Sequence, residues 1–170
     1  MSTRMPDSTV VNTPVAEVDI LAETWTKIAE ACTFFMTHTP AETKAWYDTN
    51  RYMATYTLVY RYCVCPRLQT GQAAAGGSYH GEQLYIKLEG WLRETFSSIA
   101  AELAAIPDHR TRAAGYQAYW ERCWIASRHI EAMLMYMERS WLEKNQNVKI
   151  GGAYPERIRQ LVLLRWFEIV

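Results

Sequence analysis

The chain has 170 residues, a length that suits one domain or one domain with a tail and allows a sizeable buried core. Hydrophobic residues make up 49% of it and aromatic residues 13%, a content that excludes a disordered chain. Eighteen basic and eighteen acidic residues cancel, so no net charge directs the chain toward nucleic acid or a membrane surface. We therefore expect any partner surface to be aromatic and apolar.

The first third of the chain predicts a tail followed by two helices. Residues 1–16 lack helical periodicity and are predicted to form a loose tail. From about residue 18 to 36, apolar side chains recur at steps of three and four, which predicts an amphipathic helix that ends before Pro40. A short turn is expected around 41–47, and a second helix is expected from about 50 to 65, before Pro66. The apolar positions of the first helix are Leu21, Trp25, Ile28, Cys32 and Phe35.

The remainder is also predicted to be helical. After a Gly- and Ala-rich loop at 66–79, a third helix is expected over about 80–106, and Asp108 is the predicted N-cap of the next segment. Residues 108–145 are long for one helix, so two helices meeting near 126–128 are expected. Gly151 and Gly152 predict a loop before a last apolar helix that runs to Val170. An apolar helix at the very end suggests a piece of a longer chain, and no strand pattern competes, so the predicted class is all-α.

Known catalytic and metal-binding motifs do not occur in the sequence. The cysteines form a CxC pair rather than CxxC, the histidines are scattered, and no phosphate-binding glycine loop is found. The cysteines are expected to be reduced thiols of an intracellular protein, in the cytoplasm and nucleus, and no run is long enough to span a membrane. We predict no catalytic site, cofactor or metal site. The acidic residues that lie mostly opposite the apolar stripes are expected to be solvated, namely Glu82, Glu89, Glu94, Glu121, Glu131 and Glu138.

Two segments have more large apolar side chains than a one-sided helix can bury. The run RYMATYTLVYRYC, at 51–63, places such residues around nearly its whole circumference. In the run 133–141, Leu134, Met137 and Trp141 can point inward, which leaves Met133 and Tyr136 for the outside. Tyr, Met and Trp are enriched in interface cores, so one interpretation is a partner surface. The alternative, that all these side chains pack inside a crowded bundle, stays open on periodicity alone.

These motifs resemble those of the cullin family. The run at 51–63 is similar to the second cullin helix, and GEQLYIKLEGWLRETF, at 81–96, is similar to the third. The stretch 120–141, with Trp120, Tyr136, Arg139 and Trp141, resembles the fourth and fifth helices, and Trp25 falls where the first has a Trp. The resemblance implies a five-helix first cullin repeat over 17–150, with 151–170 as the start of the next repeat.

The resemblance also implies a function, that of a non-catalytic scaffold of a ubiquitin ligase. In cullins the second and fifth helices bind the adaptor, which implies contact roles for Tyr52, Met53, Tyr56, Tyr60, Ala132, Met133 and Tyr136. The run at 51–63 favours a Skp-type adaptor carrying an F-box protein. The string LMYMER, at 134–139, resembles BTB-binding cullins equally well. A BTB-domain adaptor is therefore the alternative partner.

Two other classes of function compete with this interpretation. One is a helical protein whose Cys, His and Met side chains bind a metal or haem. The other is an unrelated helical interaction domain, although no repeat of 34 or 40 residues supports it. Self-association of the chain, through the aromatic face or the last helix, is a further alternative.

Overall fold

A computed structural model describes residues 15–48, 50–64, 79–150 and 152–170. Its helices in chain order are α1 (Val15–Thr37), α2 (Pro40–Asp48), α3 (Arg51–Val64), α4 (Tyr79–Ala104), α5 (His109–Met137), a π-helical turn (Glu138–Leu142), α6 (Glu143–Asn145) and α7 (Ile158–Ile169). Within these residues the only β-structure is an isolated antiparallel bridge between Ile150 and Ala153. The all-α class is confirmed. The predicted tail lies outside the described residues except for its last two positions, which belong to α1, and so does the predicted loop at 66–79 except for Tyr79.

The connection at Thr39-Pro40 starts a helix where only a short turn was expected. The backbone N–H of Thr39 donates to Oε2 of Glu42 at 2.8 Å, and the N–H of Glu42 donates back to the Thr39 hydroxyl at 3.4 Å. This reciprocal pair is a capping box, and Pro40 occupies the first helical position, where its missing N–H costs nothing. The hydrogen bonds from Thr39 lower the pKa of the Glu42 carboxyl. The short α2 therefore has its own start signal in the sequence, and it packs through the buried Trp46.

A single cluster of buried side chains joins α1, α3, α4, α5 and α7. The predicted apolar stripe of α1 is confirmed at Ile28, Cys32 and Phe35, which are all buried. The helix α4 contributes Leu84, Leu88 and Leu92, which are also buried. The helix α7 contributes to the same cluster, and its Trp166 ring meets Phe96 edge-on with centroids 5.4 Å apart. The proposed division of the chain at residue 151 stays a prediction.

The segment 108–145 corrects the expected helix count. Asp108 is the N-cap, as predicted, because its carboxylate accepts a 2.7 Å hydrogen bond from the backbone N–H of Thr111. From there α5 continues without a break through the expected junction at 126–128. Ser127, within that junction, is buried and bonds the carbonyl of Trp124, so its hydroxyl is satisfied inside the helix. Without Pro, and with Gly115 near its start, nothing interrupts α5, and the predicted fourth and fifth helices are one.

A buried ion-pair network fastens α7 to α4. Arg165 is almost fully buried, and its guanidinium bonds Oε1 of Glu89 on α4 at 2.8 Å and Glu168 on its own helix at 3.0 Å. Tyr85 on α4 donates to Oε2 of Glu156 at 2.9 Å and accepts from the backbone N–H of the same residue. Because a buried cation without such partners is costly, this arrangement fixes one position of α7 on the bundle.

Gly81, in the first turn of α4, marks a close approach to Trp141. A Cβ built on Gly81 would collide with the indole ring and Cβ of Trp141. We expect Gly81→Ala to lower the free energy of unfolding by about 1–2 kcal/mol, because overpacking outweighs the better helix propensity of Ala. Gly90→Ala is the matched control on the same helix, since its added Cβ meets nothing within 4 Å. That control is expected to raise stability by about 0.5–1 kcal/mol in urea unfolding. Equal effects of the two substitutions would contradict the packing of Trp141 on Gly81.

Candidate partner-binding surface

The helix α3 turns one narrow stripe to the core and the rest outward. Its buried residues are Thr55, Val59 and Tyr62, and the Tyr62 hydroxyl donates to Oε1 of Gln83 on α4 at 2.7 Å. On the outer side, Met53 is 57% exposed and Tyr60 is 44% exposed. The surplus of large residues in this helix therefore reaches the surface, as one of the two interpretations predicted.

Tyr52 couples α3 to α5. It is half-buried, and its hydroxyl donates to the backbone carbonyl of Ala132 at 3.1 Å. Its ring lies near two other aromatic rings, 6.3 Å from Tyr56 and 6.5 Å from Trp46 between centroids. Tyr52 is thus both part of the surface and a fastening between the helices that carry it.

Tyr60 and Tyr136 form the second contact across these helices. Their rings meet edge-to-face with centroids 4.7 Å apart and an angle of 74° between planes, a favoured geometry for aromatic pairs. Tyr136 is half-buried while Tyr60 is exposed, so both rings present area to solvent. The pair holds two residues from distant parts of the sequence side by side.

Five of the seven predicted contact residues are linked by contacts along or between α3 and α5, and a sixth, Met53, is exposed next to Tyr52 on α3. We call these six residues the α3–α5 surface. The seventh, Met133, was expected to point outward, and this expectation is wrong because Met133 is fully buried. It precedes Met137 by four residues and follows Ile130 by three, so it belongs to the same buried stripe of α5. The α3–α5 surface consists of Tyr52, Met53, Tyr56, Tyr60, Ala132 and Tyr136.

The six residues of the α3–α5 surface include no Asp, Glu, Lys, Arg or His. Partial burial, and to a lesser degree the neighbouring Tyr56, raises the pKa of the Tyr52 phenol. The pKa of Tyr136 is raised by the same two causes together with Tyr60 and Cys63. Tyr52 and Tyr136 therefore stay protonated at neutral pH, and the surface offers aromatic area together with hydroxyl groups. Such chemistry suits the centre of a protein interface.

A cleft borders the α3–α5 surface on each side. On the far flank of α3, a cleft of about 480 Å³ lies between α1, α2 and α3, with Phe34, Trp46 and Leu58 among its apolar lining. On the far flank of α5, a cleft of about 360 Å³ is lined by Ala132 and Met135 together with charged side chains of α5, α6 and the segment before α7. A partner can therefore contact α3 and α5 through these flanking clefts as well as through the α3–α5 surface itself.

Glu138 lines the second cleft, and the expectation that it is solvated is wrong. Only 6% of Glu138 is exposed, although its backbone is still α-helical. It lies four residues after the buried Leu134, at the edge of the buried stripe, where the start of α7 covers it. Burial and the nearby Glu131 raise the pKa of the Glu138 carboxyl. A charged residue between Met137 and Trp141 was the available sequence signal.

A second exposed apolar patch, between α5 and α7, was also missed. Trp124 is 42% exposed and Phe167 is 66% exposed, and both rings lie close to Trp120, at 6.0 and 5.1 Å. The guanidinium of Arg159 covers the Trp124 ring at 4.6 Å. The available sequence signal was the pair Trp120 and Trp124, which lie four residues apart on one face of α5.

The described residues include three cysteines, all of them free. No three His, Cys, Asp or Glu side chains of that part of the chain come together as metal ligands. Cys32, Cys63 and Cys123 are free thiols, and burial raises the pKa of each, to about 12 for Cys63 and Cys123. Among the same residues, no helix has the length and hydropathy needed to cross a bilayer.

Comparison with known proteins identifies the family. The Cullin alpha solenoid domain matches residues 25–170. The chain belongs to the cullin family. It is 24% identical over 165 residues to Cullin-1 of Dictyostelium discoideum, an alignment that covers 93% of this chain and 21% of that relative. The chain thus spans about a fifth of the length of this cullin. No solved structure matches it.

Removing the hydroxyl group of Tyr52 is expected to affect the stability of this cullin domain more than removing that of Tyr136. We expect Tyr52→Phe to lower the free energy of unfolding by about 1 kcal/mol, because the carbonyl of Ala132 loses its donor. Tyr136→Phe is the matched control: it keeps the ring pair with Tyr60 and, within the described residues, breaks no hydrogen bond of its own hydroxyl. Its stability in urea unfolding is expected to equal that of the unchanged chain. A smaller loss for Tyr52→Phe than for Tyr136→Phe would contradict the assigned coupling.

Proposed function

We propose that this cullin chain is the adaptor-binding region of a ubiquitin-ligase scaffold, and that the α3–α5 surface binds a Skp-type adaptor carrying an F-box protein. The chain would act without catalysis, by holding the adaptor in a fixed position. The observation that carries the proposal is the Tyr60–Tyr136 pair, which joins the exposed aromatic side chains of two helices that are adjacent in space. Membership in the cullin family makes a partner of this kind the first one to test.

Rigid presentation is the physical basis of the proposed binding. The phenol of Tyr52 is bonded to α5, and the rings of Tyr60 and Tyr136 support each other, so little side-chain freedom remains to be lost on binding. Aromatic residues give a large contact area for few rotatable bonds, and interfaces are dominated by a few such residues. Met53 adds a flexible apolar side chain at the most exposed point of the surface.

The adaptor class is the finer part of the proposal. The run at 51–63 supports the Skp type, through its similarity to the corresponding helix of Skp-binding cullins. The string at 134–139 supports a BTB-domain adaptor instead. Both classes would use the same α3–α5 surface, so direct comparison of the two adaptors distinguishes them.

We predict that Met53→Arg weakens adaptor binding about tenfold or more, because it places a charge where apolar area is buried in the complex. Binding is measured by isothermal titration of the 170-residue chain with a purified Skp-type adaptor–F-box complex and, separately, with a purified BTB-domain adaptor. Ile86→Arg is the matched control, since Ile86 on α4 is also about half exposed (49%) and lies outside the surface. That control is expected to bind like the unchanged chain.

Tyr136→Ala tests the same surface independently, in the same titration with the two adaptors. It removes half of the ring pair with Tyr60 without removing a hydrogen bond that the described residues show, whereas truncating Tyr52 would also loosen α3 from α5. We expect a loss of about tenfold in affinity with an unchanged helical circular dichroism spectrum. The proposal fails if the folded chain binds neither adaptor, or if both substitutions leave the affinity unchanged.

A further inference from the structure

The cleft beyond α5 contains a buried carboxylate that the fold itself leaves incompletely paired. Glu138 has 6% of its surface exposed, and its Oε2 makes no hydrogen bond within the described residues. The backbone N–H of Ile158, the first residue of α7, is close enough to favour the charged form of this carboxylate. A buried carboxylate oxygen without a donor is costly, and in native proteins such an atom calls for an explanation.

The nearest cation, Arg157, does not satisfy Glu138. A guanidinium nitrogen of Arg157 lies 3.8 Å from Oε1, beyond hydrogen-bond distance, and the side chain is 53% exposed. The same guanidinium lies 3.9 Å from Glu143, again without a hydrogen bond. Arg157 is thus held loosely at the edge of the cleft, where another cation can replace it.

The side chains that line the cleft carry an excess of negative charge. Three carboxylates, Glu131, Glu138 and Glu143, face two guanidinium groups, Arg139 and Arg157. Desolvation and repulsion from Glu131 and Glu143 raise the pKa of Glu138 in spite of Arg157 and the Ile158 N–H. The cleft therefore attracts a positive charge, and it has a volume of about 360 Å³ in which to receive one.

An organic cation fits the cleft better than a metal ion. No group of three potential metal ligands occurs among the described residues, so these carboxylates do not converge on one point. A Lys or Arg side chain needs only one buried carboxylate and an apolar wall for its methylene groups, and Met135 and Ala132 supply that wall. Ala132 also belongs to the α3–α5 surface, so one partner can cover both features.

We propose that the cleft lined by Glu138, Met135 and Arg157 is a second binding site, which receives a Lys or Arg side chain of the adaptor complex seated on the α3–α5 surface. The inference rests on the proposed function, because the same partner supplies the basic side chain. The π-helical turn that begins at Glu138 agrees with this role, since such turns are frequent at functional sites.

The test is Glu138→Gln, titrated with the same purified Skp-type adaptor–F-box complex. The amide keeps the size and shape of the carboxyl group, but the negative charge is gone. We expect affinity to fall about tenfold or more, because the basic side chain is then buried without its counter-charge. The melting temperature is expected to stay equal or to rise, because an ionised group whose pKa is raised by folding destabilises the folded state above that pKa. The salt dependence of the affinity is expected to become shallower.

Two further variants sharpen the measurement. Arg157→Gln removes the competing cation, so its affinity is expected to rise by about threefold. Glu94→Gln, at an exposed position of α4, is the control for loss of one negative charge and is expected to bind like the unchanged chain.

A Glu138→Gln chain that binds with unchanged affinity, while Met53→Arg does not bind, overturns the second site and leaves the proposed function standing. A fall in both affinity and melting temperature identifies Glu138 as structural and also overturns the inference. An unchanged chain that binds no adaptor removes the proposed function itself.

Discussion

The buried stripe of α5 is the contact on which the other features of this cullin domain depend. Cys123, Ala126, Ile130, Leu134 and Met137 are all buried, and through them α5 contacts α1, α3 and α7. Because interiors are packed as tightly as organic crystals, a helix held on three sides has one permitted rotation. That rotation places Tyr136 toward α3 and Glu138 toward α7. The aromatic surface and the acidic cleft are therefore set by the same packing, on opposite flanks of one helix.

A few contacts hold α3 in place and thereby position the side chains of the α3–α5 surface. The helix has a narrow buried stripe, and hydrogen bonds from Tyr62 to Gln83 and from Tyr52 to Ala132 link it to α4 and α5. Its remaining large side chains face solvent or neighbouring rings, a costly arrangement for an isolated molecule with so much exposed aromatic area. In the α3–α5 surface, the proposed partner would offset this cost by covering the rings. The proposed basic side chain would likewise offset the desolvation of Glu138.

The burial of Met133 and Glu138 was predicted wrongly for one physical reason. Hydrophobic periodicity locates the middle of a buried stripe on a helix but does not locate its edges. Leu134, Met137 and Trp141 were placed in the core correctly because they lie on the middle of the stripe. Met133 lies on the edge of that stripe, where coverage by neighbouring helices decides burial, and it was placed wrongly. Glu138 was misplaced because its charge was taken to mean exposure, although it lies at the other edge of the stripe, four residues after the buried Leu134. The expected break near 126–128 failed for a simpler reason, since length alone does not end a helix.

The sequence by itself determined the all-α class, the helices and several of their ends, since these depend on local signals such as Pro40, Asp108 and apolar residues at steps of three and four. It also carried the resemblance that pointed to the cullin family, through motifs in a fixed order along the chain. Only the tertiary structure decided that Tyr60 meets Tyr136, that Met133 is covered, and that Glu138 is enclosed beside α7. Those facts depend on contacts between residues far apart in the chain, and the packing of α5 against several helices at once fixes them.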